Sequence, residues 1–518
     1  MTQWSRREFV KAAGIGGVAL FGGHALLACG PEESAADPAG AGGEDVGAPD
    51  AGLDDMGAQD ATPEPDAVEQ ADVVEEPDGG FWTQGNYAPV DGDLESFELE
   101  VEGAIPPALL GVYVRNGPNP RLGDSPHWFF GDGMLHGVRL ERGRAAWYRA
   151  KYVQTGLLGR ADGIGGGPPS IRDNHSNTSV VHHGGRLLSL NEVGLPHDID
   201  PADLSTKGVF DYGGALQGPM TAHPKRDPAT GRLHFFGYNF RPPYLVFHTA
   251  DAAGNLVRSV PIEVPASTMM HDFQITDGHA IFMDLPILFD LQAAIAGGFP
   301  FAWRPDNGAR IGVMPLEGGN ADVVWIEVEP CFIFHTLNAF RDPDSVGKII
   351  LTASRYPTMW AEGPNDFSSD GRLARYSLDL AAATASLDFI DDRHMEFPRI
   401  DPRRQGLSNR YGYGLGFARE RQGATDPAAI RKYDLGGGQV QTFDFAPGRI
   451  PAEALFVPDS PGAGEDEGWL LSFVYDGATD SSTLDIFDAT ALARGPVARI
   501  KLPRRVPFGF HGTWVPDA

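Results

Sequence analysis

From residue 81 to its end, this chain carries its apolar residues in short runs with a turn signal on either side. GVYV at 111–114, RLLSL at 186–190, LHFFGY at 233–238 and GWLLSFVY at 468–475 are examples. Runs of four to eight residues rich in aromatic and branched side chains have the length and period of a strand. The 66 glycines and 42 prolines among 518 residues supply the interruptions, and HGG at 183–185 and ATG at 229–231 sit where hairpins turn. Helical period survives only at 287–296 and 201–206. Many short strands over so long a segment predict an all-β fold, either a β-propeller or two β-sandwiches. No WD or kelch repeat decides between them.

The first 80 residues are of a different kind. Ser5, Arg6, Arg7, Phe9 and Lys11 spell S-R-R-x-F-x-K, the pattern of a twin-arginine export signal. The apolar stretch at 12–28 is short and rich in glycine and alanine, unlike a membrane span. It closes on Leu26-Leu27-Ala28-Cys29, which is similar to a bacterial lipobox, where cleavage leaves Cys29 lipidated. Residues 1–29 therefore read as a signal. Residues 30–80 hold sixteen Asp and Glu and no Lys or Arg. Such a segment buries too little apolar surface to offset its ordering entropy, so it is expected to be an extended acidic tether. The expected protein is exported folded and anchored as a lipoprotein, facing the periplasm or the cell surface. Residues 81–518 form the folded domain.

Charge and cysteine narrow the field. The net charge of −29 falls to −15 for residues 81–518 once the tether and the leader's +2 are set aside. That balance argues against a nucleic-acid partner, which needs a basic surface. With Cys29 given to lipid, Cys331 has no partner for an intramolecular disulfide. The core must hold by burial alone.

Four of the fifteen histidines stand in apolar or turn-bounded settings: His223 in TAHP, His271 in MMHDF, His335 in CFIFHTLNAF and His511 in PFGFHGTW. The others have ordinary surroundings; His182 and His183 precede a glycine turn, and His197 and His394 are expected in polar loops. A single buried imidazole is usually satisfied by a backbone carbonyl. Here the intervals are 48, 64 and 176 residues, and a propeller blade takes about 40 to 60. The gaps read as one, one and three blades, which would let all four side chains converge on a propeller axis.

The stretches around these histidines carry a resemblance. GVYVRNGPNP at 111–120, HWFFGDGMLHGVRL at 127–140, TAHPKRDPATG at 221–231, MMHDFQIT at 269–276, CFIFHTLNAF at 331–340, EFPRID at 396–401, LLSFVYD at 470–476 and GFHGTW at 509–514 occur in one order. The chain resembles the carotenoid cleavage oxygenase family over nearly all of 81–518. The resemblance implies a seven-bladed β-propeller capped by a dome of loops and short helices. It implies a non-haem Fe(II) on the axis, held by His223, His271, His335 and His511. It implies glutamates that accept the distal N–H of three imidazoles, carried over to Glu192, Glu396 and Glu453, although the motif around Glu453 continues with Ala454 where proline is usual. RNGPNP at 115–120 and GDG at 131–133 are expected to be turns that use glycine for its backbone angles.

The activity implied is cleavage of a carbon–carbon double bond of a carotenoid or apocarotenoid by O2, giving two carbonyl products. The partners implied are an apolar polyene and O2; no obligate protein partner is evident. Two alternatives stand beside it: a stilbene-cleaving dioxygenase of the same family, with Tyr113, Tyr148 and Lys151 as phenol-holding candidates by type, and a catalytically silent surface binding propeller. Phe273, Phe334, Phe508 and Phe510 are candidates either for a substrate tunnel or for core.

Overall fold

The computed structural model describes residues 81–121, 125, 127–158, 171–295, 299–417 and 426–517. The signal at 1–29 with its Cys29, and the tether at 30–80, lie outside the described residues. Among the described residues no helix is long and apolar enough to cross a membrane.

Among the described residues, six large sheets, all with antiparallel neighbours, make seven blades. Blade one holds Gly111–Pro118, Gly133–Glu141 and Arg144–Tyr152, edged on the outside by Leu94–Phe97. Blade two is Ser179–His183, Arg186–Leu190, His197–Ile199 and Thr206–Val209, and blade three runs from Lys225–Arg226 to Leu256–Ile262. Blade four begins at Gln274–Ile275 and ends at Val324–Val328. Blades five and six share one seven-stranded sheet, because the long strand Thr384–Arg399 serves both. Its first part pairs with Arg372–Asp379, and from Met395 onward it pairs with Tyr411–Phe417. Blade seven is built on Gly468–Asp476, Ser481–Asp488 and Pro496–Lys501.

The circle is closed twice. Gly512–Pro516, near the C-terminus, pairs with Gly111–Pro118 and becomes the inner strand of blade one. Val101–Gly103, near the N-terminal side, pairs with Pro496–Lys501 and becomes the outer strand of blade seven. Apolar side chains fill the gaps between blades. Tyr113, Val138 and Tyr148 of blade one, for example, meet Leu471, Leu484 and Ile486 of blade seven in one buried cluster.

Several expectations need correction. RNGPNP is no turn at its start: residues 115–118 continue a strand whose eight residues are all buried. Gly117 is required by proximity, not by backbone angle, since a Cβ there would stand 2.6 Å from the Cα of Gly509. Gly131 does adopt φ +148. The helical period at 201–206 gives turns and the start of a strand, and 287–296 divides into the strand Ile287–Phe289 and a five-residue helix, Leu291–Ile295. His197 and His394 lie in strands, with His197 fully packed inside blade two. In each case tertiary packing overrides the local signal.

Candidate metal centre

Each blade delivers one residue to the axis. His511 stands directly before the inner strand of blade one, and Glu192 follows the second strand of blade two. His223 stands two residues ahead of the inner strand of blade three, and His271 three ahead of that of blade four. His335 lies within Phe332–Arg341, the inner strand of blade five, where the ladder slips register between Ile333 and Thr336. A bulge of that kind re-aims a side chain. Glu396 sits on the inner part of Thr384–Arg399, at a second slip, and Glu453 fills the break between Arg449–Pro451 and Leu455–Pro458 in blade seven. The 48-, 64- and 176-residue gaps thus span one, one and three blades.

The four imidazoles meet. Nε2 of His223 is 3.0 Å from Nε2 of His271, which is 3.3 Å from Nε2 of His335, which is 3.1 Å from Nε2 of His511. All four ligand nitrogens lie within 4.8 Å of one another, and all four residues are buried. The opposite ring nitrogens are engaged by carboxylates. Nδ1 of His335 is 2.5 Å from Oε2 of Glu396, Nδ1 of His511 is 2.8 Å from Oε1 of Glu453, and Nδ1 of His271 pairs with Oε1 of Glu192. No carboxylate pairs with His223 among the described residues.

This arrangement tests whether a cation fits. A neutral imidazole that gives its Nδ1 proton to a carboxylate presents a lone pair at Nε2. With their Nδ1 protons on the carboxylate side and the rings neutral, His271, His335 and His511 would point lone pairs at one another across about 3 Å, with no proton between them to form a hydrogen bond. A cation between them relieves that repulsion. Two nitrogens bound at right angles, each about 2.1 Å from a metal, stand about 3.0 Å apart, close to the spacings seen here. Burial, followed by the neighbouring imidazoles, holds His223 well below its ordinary pKa. Burial also brings His511 down to about 4 despite Glu453, so both rings are neutral donors. Burial disfavours charge on His271 too, but Glu192 outweighs it and raises that pKa; the same carboxylate increases the ring's basicity toward a metal.

Each glutamate is itself held. Oε2 of Glu192 accepts the Tyr238 hydroxyl at 2.9 Å, and burial together with Glu192 keeps that phenol protonated. Oε2 of Glu396 accepts Phe397 N–H at 2.6 Å; Phe397 stands at φ +51, and its ring lies against His335 and His511. Oε2 of Glu453 accepts from Arg399 Nη2 at 2.7 Å and from Gly512 N–H at 2.9 Å. Burial alone would raise the Glu453 carboxyl, yet Arg399 and His511 hold it well below the usual carboxylate range. Three carboxylates thus provide the negative charge that four neutral imidazoles lack.

A family model described as retinal pigment epithelial membrane protein matches residues 87–516. The carotenoid cleavage oxygenase of Mycobacterium tuberculosis is 34% identical over 489 residues, covering 84% of this chain and 97% of that one. The chain belongs to the carotenoid cleavage oxygenase family. Among solved structures, the lignostilbene dioxygenase of Pseudomonas brassicacearum superposes on this carotenoid oxygenase fold with a TM-score of 0.77 at 29% identity, over 84% of this chain and 98% of that one. A Glu150Asp variant of the Synechocystis apocarotenoid oxygenase gives 0.75 at 31% identity, over 83% and 98%.

Around the imidazoles of this carotenoid oxygenase the walls are aromatic. Phe334 stands edge-on to His271 at 5.2 Å between centroids, and it also meets Phe129 and Trp360. Phe510 packs on Trp128 and Phe129. Phe273 instead belongs to the core, against Phe236 and Phe247, and Phe508 packs on Tyr87. The three phenol-holding candidates lie elsewhere. Tyr113 packs on Phe473, the Tyr148 hydroxyl meets His136 at 2.8 Å, and Lys151 reaches Glu95 on the outer edge of blade one. Arg399, Phe397 and Tyr238 were not singled out from sequence. Arg399 and Phe397 fall inside the EFPRID stretch, but the register slip that aims them is invisible in one dimension.

Proposed function

We propose that this carotenoid oxygenase is a non-haem Fe(II) dioxygenase that cleaves a carbon–carbon double bond of a carotenoid or apocarotenoid into two carbonyl products. The observation that carries the reading is the set of four Nε2 atoms turned inward, three of the rings backed by carboxylates. His223, His271, His335 and His511 hold the metal, and Glu192, Glu396 and Glu453 fix the ring orientations. Iron bound there supplies the activation of O2, both of whose atoms end in carbonyl groups where the double bond stood. The chain itself contributes no acid, base or nucleophile. Phe334, Phe397 and Phe510 exclude water and present an apolar surface to a polyene. The distant placement of Tyr113, Tyr148 and Lys151 favours a carotenoid over a hydroxylated stilbene, and a silent binding propeller has no use for the carboxylate-backed imidazoles. Iron-loaded protein incubated with carotenoids, apocarotenals and stilbenes should consume one O2 per bond cleaved and yield paired carbonyl products by mass from the first two classes. Turnover of stilbenes alone, or no oxygen uptake with any polyene, would refute the proposal.

The same proposal covers the delivery of the enzyme. Residues 1–29 direct export by the twin-arginine route, Cys29 becomes the lipidated N-terminus, and residues 30–80 tether residues 81–518 to a membrane, where apolar substrates partition. Export in the folded state would let iron enter before Cu(II) or Zn(II), which bind nitrogen sites more tightly, can compete. Replacing Arg6 and Arg7 by lysine should keep the protein in the cytoplasm with its leader uncut, and the mature wild-type mass should show an acylated Cys29. A mature protein that retains residues 1–28 would contradict this.

A further inference from the structure

The sequence places a polar residue close behind three of the four ligands, and the fold brings these followers together. Lys225 lies two residues after His223, Asp272 directly after His271, and Thr336 directly after His335. Oδ1 of Asp272 accepts from Lys225 Nζ at 2.7 Å and from Phe273 N–H at 2.7 Å. Oδ2 accepts from Thr336 N–H at 2.8 Å and from the Thr336 hydroxyl at 2.7 Å. Asp272 is 1% exposed, so its four donors replace water completely.

The three residues belong to blades three, four and five, which are separate sheets with no shared ladder. The strands that follow His223 and His271 and the strand that holds His335 are therefore not held in relation to one another by backbone pairing. Apolar packing between blades is non-directional. A buried carboxylate with both oxygens saturated by charged and backbone donors is directional and short.

We infer that Lys225, Asp272 and Thr336 form a clamp that sets the spacing of the three consecutive ligand-bearing segments, and are positioning residues for the metal. The inference rests on the metal reading given above. Arg399 and Glu453 do the corresponding work on the opposite side of the axis, joining blades six, seven and one through Gly512. The clamp residues lie one or two positions after the ligands, and none of them is hydrogen-bonded to a ligand nitrogen. Loss of the clamp should therefore change how well the imidazoles are aligned while leaving each of them in place.

The experiment uses full-length protein carrying Lys225→Met, Lys225→Arg or Thr336→Val, with Fe(II) titration and the electron paramagnetic resonance spectrum of the nitric oxide adduct at full loading as readouts. Lys225→Met should weaken iron binding at least tenfold, as is usual for residues that support a metal site, and should replace one spectral species by a mixture. Lys225→Arg should restore a single species. A Lys225→Met protein with wild-type affinity and spectrum, even one that unfolds more easily, would overturn the inference and reduce the clamp to a stability element. If Lys225→Met does not fold, Thr336→Val, which keeps the N–H bond to Asp272 and gives up the hydroxyl's bonds to Asp272, Phe273 and Gln274, decides by the same two readouts. Wild-type protein that takes up no metal would instead overturn the metal reading itself.

Discussion

Replacing His335 by alanine is expected to give a folded chain that holds no iron and consumes no oxygen. His335 is the middle link of the cluster, with Nε2 at 3.3 Å from His271 and 3.1 Å from His511. Without it the remaining nitrogens cannot surround a cation. The blade survives because the strand around residue 335 is held by its pairing with Lys348–Tyr356 and by apolar neighbours such as Phe332 and Leu337. Metal bound only by the native state stabilises it by about 4 kcal/mol when present at about a thousand times its dissociation constant. Most of the fall in Tm should therefore match that seen when wild-type protein is stripped by a chelator, and the chelator should do little more to the variant. Elemental analysis and calorimetry on the two proteins check this. Stoichiometric iron in the variant would show that the cluster is not the site.

Replacing Glu453 by alanine should separate two quantities that one carboxylate serves. Glu453 gathers His511 Nδ1–H, Arg399 and Gly512 N–H on two oxygens. Without it the His511 ring is free to rotate and loses basicity, and iron affinity should fall about 10- to 100-fold. Arg399 is left with the Gly512 carbonyl at 3.0 Å. Because the Arg399 side chain is 31% exposed, water can reach it, and the cost to the metal-free protein should be about 1.5–3 kcal/mol, the range for a lost charge-assisted bond. Metal titration reads the first effect, and urea unfolding of metal-free protein reads the second. Glutamine at this position keeps the shape and one acceptor, so its affinity should lie between the two. Wild-type affinity in the alanine variant would leave Glu453 a purely structural residue.

The four-histidine cluster is legible because chemistry and topology leave separate marks in the chain. Each histidine sits at or near the start of an inner strand, and inner strands recur at blade length, so the intervals carried geometric information. The glutamates were reachable only through family resemblance: Glu192 in a loop, Glu396 on a strand and Glu453 in a break share no local pattern. What stayed hidden depends on contacts between residues distant in the sequence. The strand at 115–118 reads as a turn because glycine and proline usually punctuate, whereas here Gly117 makes room for Gly509. His197 and His394 read as loop residues because their polar neighbours mask strands that pack inside blades. The clamp on Asp272 joins three segments that no sequence window contains.

The double clasp bears on how the ring assembles. Tyr113 pairs with Trp514, about 400 residues on, yet each doubling of a closed loop adds only about 0.6 kcal/mol of lost chain entropy. Joining ends so far apart therefore costs about 2 kcal/mol more than closing a loop of about 50 residues, and a single strand pairing offsets much of that. The larger penalty falls on time, because contacts of such long separation form late and slowly. His511 directly precedes the clasp strand, so a chain interrupted during synthesis lacks both the last hydrogen-bonded edge and the fourth imidazole. Under the proposed iron reading, retention of the metal would then report that the clasp strand had been made.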